Sequence, residues 1–170
     1  ITNGNLRDFT NMDFVRYMGD HLKRIEGQVK REAVLDLVYQ MPSSNMKNYL
    51  YKNNQDLTFT NLADQWGLSE ISNSGGAVYA DLDNDGDLDL VINNINKPAF
   101  IYQNEGNHKL KNNYLKVELL GQRKNTLGLG AKVTIYQGGK IQYLEQMPTR
   151  GYQSSVSPLL HFGLGQTTEI

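Results

Sequence analysis

The 170-residue sequence contains no cysteine, which excludes a disulfide scaffold, a zinc site with cysteine ligands and a cysteine nucleophile. It also lacks an apolar run of about 18 residues, so no transmembrane segment is predicted. None of its 18 asparagines begins an Asn-x-Ser/Thr sequon, which disfavours a glycosylated eukaryotic surface protein. There is no initiator methionine and no leader, so we expect these residues to be part of a longer chain.

Groups that could perform catalysis are also scarce. The three histidines, His21, His108 and His161, each lack a second histidine or acid at metal-binding spacing. No Gly-x-Ser-x-Gly motif marks a serine nucleophile. The sequence therefore predicts no catalytic residues and a protein that is not an enzyme. An enzymatic site outside these residues is left open.

Charge is distributed unevenly along the chain. Residues 1–106 carry 9 basic and 15 acidic side chains, a net charge of −6. Residues 107–170 carry 8 basic and 3 acidic side chains, a net charge of +5. Five of the acids fall between Asp81 and Asp89. Such a run is commonly a solvated face, but its regular spacing here indicates a more specific role.

Hydrophobic periodicity predicts two amphipathic helices within residues 10–41. Thr10 or Asn11 is a candidate N-cap for the first helix. Two apolar stripes follow at helical spacing: Phe14, Met18, Leu22 and Ile25, then Val34, Leu37, Val38 and Met41. Gly27 is expected to separate the two helices. We expect both helices to lie on an apolar surface, with partner binding as the alternative.

Short strands separated by turn residues are predicted from about residue 48 onward. Residues 48–104 are expected to form one small antiparallel unit, and residues 104–113 a polar linker. Further alternating segments predict a second, all-β section. We therefore predict a mainly β protein with one domain at 1–106 and a second at 107–170.

The motif with the most specific chemistry is an aspartate-rich loop. Carboxylates stand at loop positions 1, 3, 5 and 9, and a glycine at position 6 permits a sharp turn. The candidate metal ligands are Asp81, Asp83, Asp85, Asp87 and Asp89. Asp87, at position 7, is expected to contribute its backbone carbonyl. Without a cation, mutual repulsion of the five carboxylates predicts a poorly ordered loop.

The oxygen ligands of the loop indicate the type of cation, and the residues that flank the loop indicate the type of loop. Ligation by oxygen alone favours Ca²⁺ over zinc, copper or iron, and Mg²⁺ gives up its water less readily. An EF-hand needs an acid at position 12, where this chain has Ile92. The residues on both sides of the loop favour strands. The sequence therefore predicts a nine-residue calcium loop between two strands, with a solvated acidic turn as the alternative.

Residues 75–92, with the sequence GGAVYADLDNDGDLDLVI, resemble the FG-GAP/VCBS repeat of integrin-like β-propellers. The resemblance implies a calcium ion bound between strands of a propeller blade. Its ligand positions correspond to Asp81, Asp83, Asp85 and Asp89, with Asp87 acting through its carbonyl. The blade would cover about residues 48–104, and the helical section at about 10–41 would be an insertion.

The later part of the chain resembles a second family, ASPIC/UnbV. The matching segments are LKVELLG at 115–121, NTLGLGAKV at 125–133, GYQS at 151–154 and LHFGLG at 160–165. This resemblance implies a small sandwich- or barrel-like β domain at 107–170, which we expect to be truncated. The two resemblances together imply a larger bacterial protein that is extracellular, periplasmic or attached to the cell surface.

The function that these features predict is that of a noncatalytic, extracellular calcium-binding adhesion, interaction or scaffold module. Its partner would be a protein or glycan that the sequence does not identify. The alternative is binding of nucleic acid or another polyanion by the basic section. Its candidate residues are Lys109, Lys111, Lys116, Arg123, Lys124, Lys132, Lys140 and Arg150, with Tyr114, Tyr136 and Tyr143 between them. A single blade has unpaired edges, so self-association as a homo-oligomer is also expected.

Overall fold

The computed structural model describes residues 1–4, 6–25, 27–44 and 46–170, with only the backbone of residue 107. None of the described helices is long and apolar enough to cross a membrane. The structure divides into two compact units. The first contains residues 1–75 and 94–97, and the second contains residues 76–93 and 98–170.

Most of the regular structure is β-strand, which confirms the predicted mainly β fold class. The helices are α1 (Met12–Lys23), α2 (Arg31–Gln40) and α3 (Gly106–Leu110). The strands are β1 (Tyr51–Asn53), β2 (Phe59–Asn61), β3 (Ser74–Ala80), β4 (Asp89–Asn94), β5 (Phe100–Tyr102), β6 (Asn113–Val117), β7 (Lys132–Gln137), β8 (Lys140–Glu145) and β9 (Leu160–Gly165). They form four small sheets, β1-β2, β3-β4-β5, β6-β9 and β7-β8.

The two predicted helices are confirmed in the first unit as α1 and α2. The side chain of Asn11 accepts a hydrogen bond from the Phe14 N–H at 3.0 Å and so caps α1. Gly27 has a φ of +93°, a conformation that favours glycine, and lies between the end of α1 at Lys23 and the start of α2 at Arg31. The apolar stripe of α2 supplies the buried side chains Leu37 and Met41. Residue 26, within the predicted helical section, lies outside the described residues.

Buried polar side chains also organise the first unit. The Asn48 amide donates hydrogen bonds to the Ser72 and Ser74 hydroxyls at 3.2 and 2.8 Å. The Ser74 hydroxyl in turn donates to the Asn94 side chain at 2.8 Å. These bonds satisfy groups that would be costly to bury alone. They connect the start of β3 with the end of β4 inside one unit.

The second unit has its core under the strands of the C-terminal section. Leu160, Phe162 and Leu164 alternate along β9 and pack with Ile135 of β7. β6 pairs with β9, and β7 pairs with β8, in both cases antiparallel. The described strands of this section do not close into a barrel. The core therefore lies between two short antiparallel pairs of strands, β6-β9 and β7-β8.

Two details differ from the sequence-based expectations. The strands within 48–104 form two separate sheets, β1-β2 and β3-β4-β5. In the described part of the chain, neither β1 nor β2 pairs with a strand of the three-stranded sheet. The predicted linker contains the one-turn helix α3, whose first turn is bonded from Lys109 N to the Glu105 carbonyl. The predicted boundary between residues 106 and 107 separates two regions that resemble different families, and it stays a prediction.

Candidate metal centre

The aspartate-rich loop joins β3 to β4, as predicted, and its backbone turns sharply twice. Asn84 has a φ of +62° and Gly86 a φ of +94°. Asparagine tolerates the left-handed region better than most residues, and glycine adopts it freely. A Cβ atom at Gly86 would also lie 1.9 Å from Cε1 of Tyr114. Glycine is therefore required at this position for both its backbone conformation and the space it leaves.

Alternate carboxylates of the loop accept hydrogen bonds from backbone groups further along it. The Asp83 carboxylate accepts from Asp85 N at 3.3 Å, and the Asp85 carboxylate accepts from Asp87 N at 2.8 Å. Asp81 Oδ2 accepts from Gly86 N at 3.1 Å. These bonds fix three side chains against their own loop.

Asp89 anchors the far end of the loop. Its side chain is only 2% exposed, although it is ionisable. Oδ2 accepts from Leu82 N at 2.9 Å, and Oδ1 accepts from Asn104 N at 2.8 Å. Two backbone donors thus satisfy both oxygens of this buried carboxylate. Asp89 thus connects the two ends of the loop with the chain that follows β5.

Asp81 is a second loop carboxylate with a nearly buried side chain, and it has a lysine partner. Its side chain is 5% exposed, and Oδ2 lies 2.5 Å from Nζ of Lys116, which is 30% exposed. The other oxygen, Oδ1, is buried and accepts no hydrogen bond within the described part of the chain. A buried carboxylate oxygen without a donor is energetically costly. This oxygen is suited to a cation.

The ion pair between Asp81 and Lys116 shifts the pKa of each group in the direction that favours its charged form. Burial acts to raise the pKa of Asp81, but the hydrogen bond and charge of Lys116, with backbone N–H groups, outweigh it and hold that pKa below its usual value. The Asp81 hydrogen bond raises the pKa of Lys116 above its usual value, against the opposing effect of burial. Lys116 therefore reduces the repulsion among the carboxylates that the sequence predicts.

Asp83 and Asp85 lie together with a histidine from α3. One ligand atom each of Asp83, Asp85 and His108 lie within 4.8 Å of one another. His108 Nε2 is 3.5 Å from Asp85 Oδ2, and the Gln103 amide donates to Asp83 Oδ2 at 2.7 Å. Among the described residues, the grouping excludes Asp81, whose Oδ2 faces Lys116, and Asp89, whose two oxygens accept from backbone donors. Asp87 is half-buried, with its carboxylate near Gly106.

Two rings from the C-terminal strands hold the turn at Gly86. His161 Nε2 lies 2.9 Å from the Gly86 carbonyl oxygen. Since a carbonyl only accepts, Nε2 carries the proton and donates. The Tyr114 ring stacks on His161 with centroids 5.5 Å apart, and Lys116 Nζ lies 5.4 Å from the Tyr114 centroid. His161 is thus a satisfied strand residue that positions the loop.

Lys116, His108 and Gln103 are contributions to the site that the sequence analysis did not assign to it. Lys116 is 35 positions from Asp81, and Gln103 is 20 positions from Asp83. No local spacing pattern connects residues so far apart. Lys116 lies on β6, His108 lies on α3, and Gln103 directly follows β5, which pairs with β4, so the tertiary fold brings them to the loop. Since Lys116 pairs with Asp81 and Lys109 pairs with Glu105 at 2.6 Å, part of the basic section is neutralised within the fold. Polyanion binding stays an untested prediction.

The chemistry of these residues fits a hard cation. The loop supplies several carboxylate oxygens within a short segment, and Asp81 Oδ1 is buried with no donor in the described part of the chain. Calcium accepts six to eight oxygen ligands in flexible geometry, so a loop of this composition suits it. Cysteine is absent, which leaves no thiolate ligand of the kind that zinc favours.

The comparisons with known proteins agree with the order of the two sequence resemblances. The family model described as "FG-GAP-like repeat" matches residues 34–92, which include the whole aspartate-rich loop. The model described as "ASPIC and UnbV" matches residues 121–170, which include β7, β8 and β9.

The chain is also similar to cartilage acidic protein 1 of Mus musculus and of Homo sapiens. Each is 32% identical to it over 97 residues, which is 54% of this chain and 14% of the relative. The chain thus matches only a small part of the length of these relatives. No solved structure matches it significantly. Two regions of the chain thus match family models, an FG-GAP-like repeat followed by an ASPIC and UnbV region.

Proposed function

We propose that the chain is a noncatalytic, extracellular calcium-binding module that supports adhesion, interaction or scaffolding. The ion would be held by the carboxylates of Asp81, Asp83, Asp85 and Asp89, with the backbone carbonyl of Asp87. Calcium stabilises the loop by supplying positive charge at its centre. The module itself would be a rigid surface for a protein or glycan partner.

The observation that carries this proposal is the state of Asp81. Its Oδ1 is buried and has no donor among the described residues, while its Oδ2 already faces the Lys116 ammonium. A carboxylate group that lacks a donor on one oxygen needs a further positive group to offset its desolvation. A divalent cation in the loop meets that need and adds the contacts that the neighbouring aspartates offer.

The extracellular setting and the type of partner rest on the family matches. FG-GAP-like repeats are typical of extracellular or surface proteins, and the relatives found carry the name cartilage acidic protein 1. The chain contains no cysteine, so its stability does not depend on disulfides. A cation that stabilises a loop fits such a setting, where millimolar calcium is matched by weak extracellular sites.

Differential scanning calorimetry in calcium and in EGTA tests the proposal. We expect calcium to raise the melting temperature, since an ion that binds only the folded state at 100 times its dissociation constant adds about 2.7 kcal/mol. Asp83→Asn and Asp85→Asn should abolish most of the gain. The matched control is Asp36→Asn, at an exposed position of α2.

Each outcome of the calorimetry experiment leads to a different conclusion about the calcium site. A calcium-dependent gain that disappears in both loop variants and persists in the control supports the proposal. Equal melting temperatures of the unmodified chain in calcium and EGTA would exclude a calcium site. A gain that all three variants retain would place the ion elsewhere in the chain.

A further inference from the structure

The second compact unit contains a cavity that borders the aspartate-rich loop and shares one lining residue, Asp81, with the proposed calcium site. Its volume is about 330 Å³, at the lower end of the range for small-molecule sites. Much of its lining is apolar, from Tyr79 of β3, Leu144 of β8 and the segment between β8 and β9, which supplies Met147, Val156 and Leu159. The fold leaves this space unfilled, although its walls are mostly hydrophobic.

The charged side chains that line the cavity are two bases, Lys116 and Arg150, and one acid, Asp81. Its other polar lining residues include Gln146 and Ser157. Asp81 is neutralised by its ion pair with Lys116, so the net charge of this lining comes from Arg150. Arg150 donates from one guanidinium nitrogen to the Glu145 carbonyl at 3.3 Å. A guanidinium has five N–H donors in a fork that matches a carboxylate.

We propose that this cavity binds a small organic carboxylate with an apolar body. The apolar walls bury the body of the ligand, and the Arg150 guanidinium pairs with its carboxylate. An uncharged ligand of the same shape would leave that guanidinium without its partner, and a cationic one would be repelled by it. The polarity of the lining thus selects for an anion, and the dimensions select for a compact one.

The proposal does not depend on calcium, and the experiment separates the two. Isothermal titration calorimetry uses 4-phenylbutyrate as the probe, with 4-phenylbutan-1-ol and 4-phenylbutylamine as uncharged and cationic analogues. Each is titrated in EGTA and again in calcium. We expect the carboxylate to bind about tenfold more tightly than the alcohol, since a hydrogen bond to a charged group has about that effect.

Two variants test the location of binding. Arg150→Gln should weaken the carboxylate about tenfold and leave the alcohol unchanged. Met147→Trp, at an exposed lining position, should fill the cavity and abolish binding of both ligands. Lys140→Gln, at an exposed position outside the cavity, is the matched control and should change neither. Melting temperatures measured without ligand identify any variant that fails to fold.

Chemical shifts of backbone amides give a second reading that needs no variant. Addition of 4-phenylbutyrate should shift resonances of residues 144–160 more than those of the β1-β2 hairpin. The proposal is overturned if the carboxylate and the alcohol bind equally, if Arg150→Gln and Lys140→Gln have the same effect, or if the shifts map away from the cavity. Loss of the calcium effect with retained probe binding would reject the calcium site alone.

Discussion

Lys116 and Asp81 are 35 positions apart in the sequence, yet the Lys116 ammonium lies 2.5 Å from Asp81 Oδ2. The lysine comes from β6, in the part of the chain that leads into the ASPIC and UnbV match, whereas the aspartate opens the loop of the FG-GAP-like repeat. One ion pair therefore connects these two segments within a single compact unit. The same aspartate is a proposed calcium ligand, so lysine and calcium stabilise the same charge.

Replacement of Lys116 by methionine should make the chain more dependent on calcium. Without the ammonium, the metal-free protein loses about 1.5–3 kcal/mol, the typical value of a hydrogen bond to a charged group. The calcium-bound form loses less, because the ion still neutralises Asp81. Calorimetry should show a larger difference in melting temperature between calcium and EGTA for Lys116→Met than for the unmodified chain. Lys132→Met, at an exposed position of β7, should leave the difference unchanged.

The same pair should stabilise calcium-free protein over a wide but bounded pH range. The pKa of Asp81 is lowered, so its contribution is present above the unfolded value of 3.8 and is lost as pH falls through the lower folded pKa. The pKa of Lys116 is raised, so its contribution is present below 10.5 and is lost as pH rises through the higher folded pKa. Urea denaturation in EGTA should show that Lys116→Met lowers the free energy of unfolding most between these limits. A difference that does not change at either extreme contradicts the assignment.

Gly86→Ala should destabilise the chain more than an equivalent change in an open turn. Its φ is +94°, and the new Cβ would overlap the Tyr114 ring. Gly139→Ala is the control, since its φ is +79° but nothing lies within 4 Å of the added atom. Both variants incur the conformational cost of about 1–2 kcal/mol, and only Gly86→Ala also displaces the ring. Equal melting temperatures of the two variants would show that the ring contact has no energetic effect.

Asp89→Asn should separate the structural role of one loop carboxylate from metal binding. Its two oxygens accept from Leu82 N and Asn104 N, and an amide can accept on only one side. One buried donor would face an NH₂ group, at a cost of about 1–3 kcal/mol even in EGTA. Asp83→Asn, whose side chain is exposed, should leave the EGTA melting temperature nearly unchanged. Equal losses in EGTA for the two variants would contradict this division of roles.

Self-association should depend on the exposed edge of the three-stranded sheet. β5 is an edge strand, and its Ile101 side chain is 68% exposed. Unpaired edges with apolar side chains favour pairing with another chain. Light scattering over a concentration series should show association that Ile101→Lys reduces. Gln40→Lys, with the same charge change on an exposed position of α2, should have no effect. A monomer at every concentration would remove the basis for the expected homo-oligomer.

Local patterns were enough to predict much of this protein. Helical spacing located α1 and α2, and alternation located the strands of the C-terminal section, because both depend on neighbouring side chains sharing one face. The loop between two strands was predicted from the spacing of Asp81, Asp83, Asp85 and Asp89 around Gly86 and from flanking residues that favour strands, which are also local features. The assignment of calcium to that loop is still a prediction.

The sequence by itself thus determined the fold class, the two helices, the position of the loop and the order of the two resemblances. Tertiary structure decided which residues meet the loop: Lys116 at Asp81, His108 at Asp85, and His161 at the Gly86 carbonyl. It also decided that a cavity remains beside the loop. Hydrophobic periodicity is a property of neighbouring residues and can be read from the sequence. An ion pair between distant positions forms only once strand pairing and core packing have brought the two segments together.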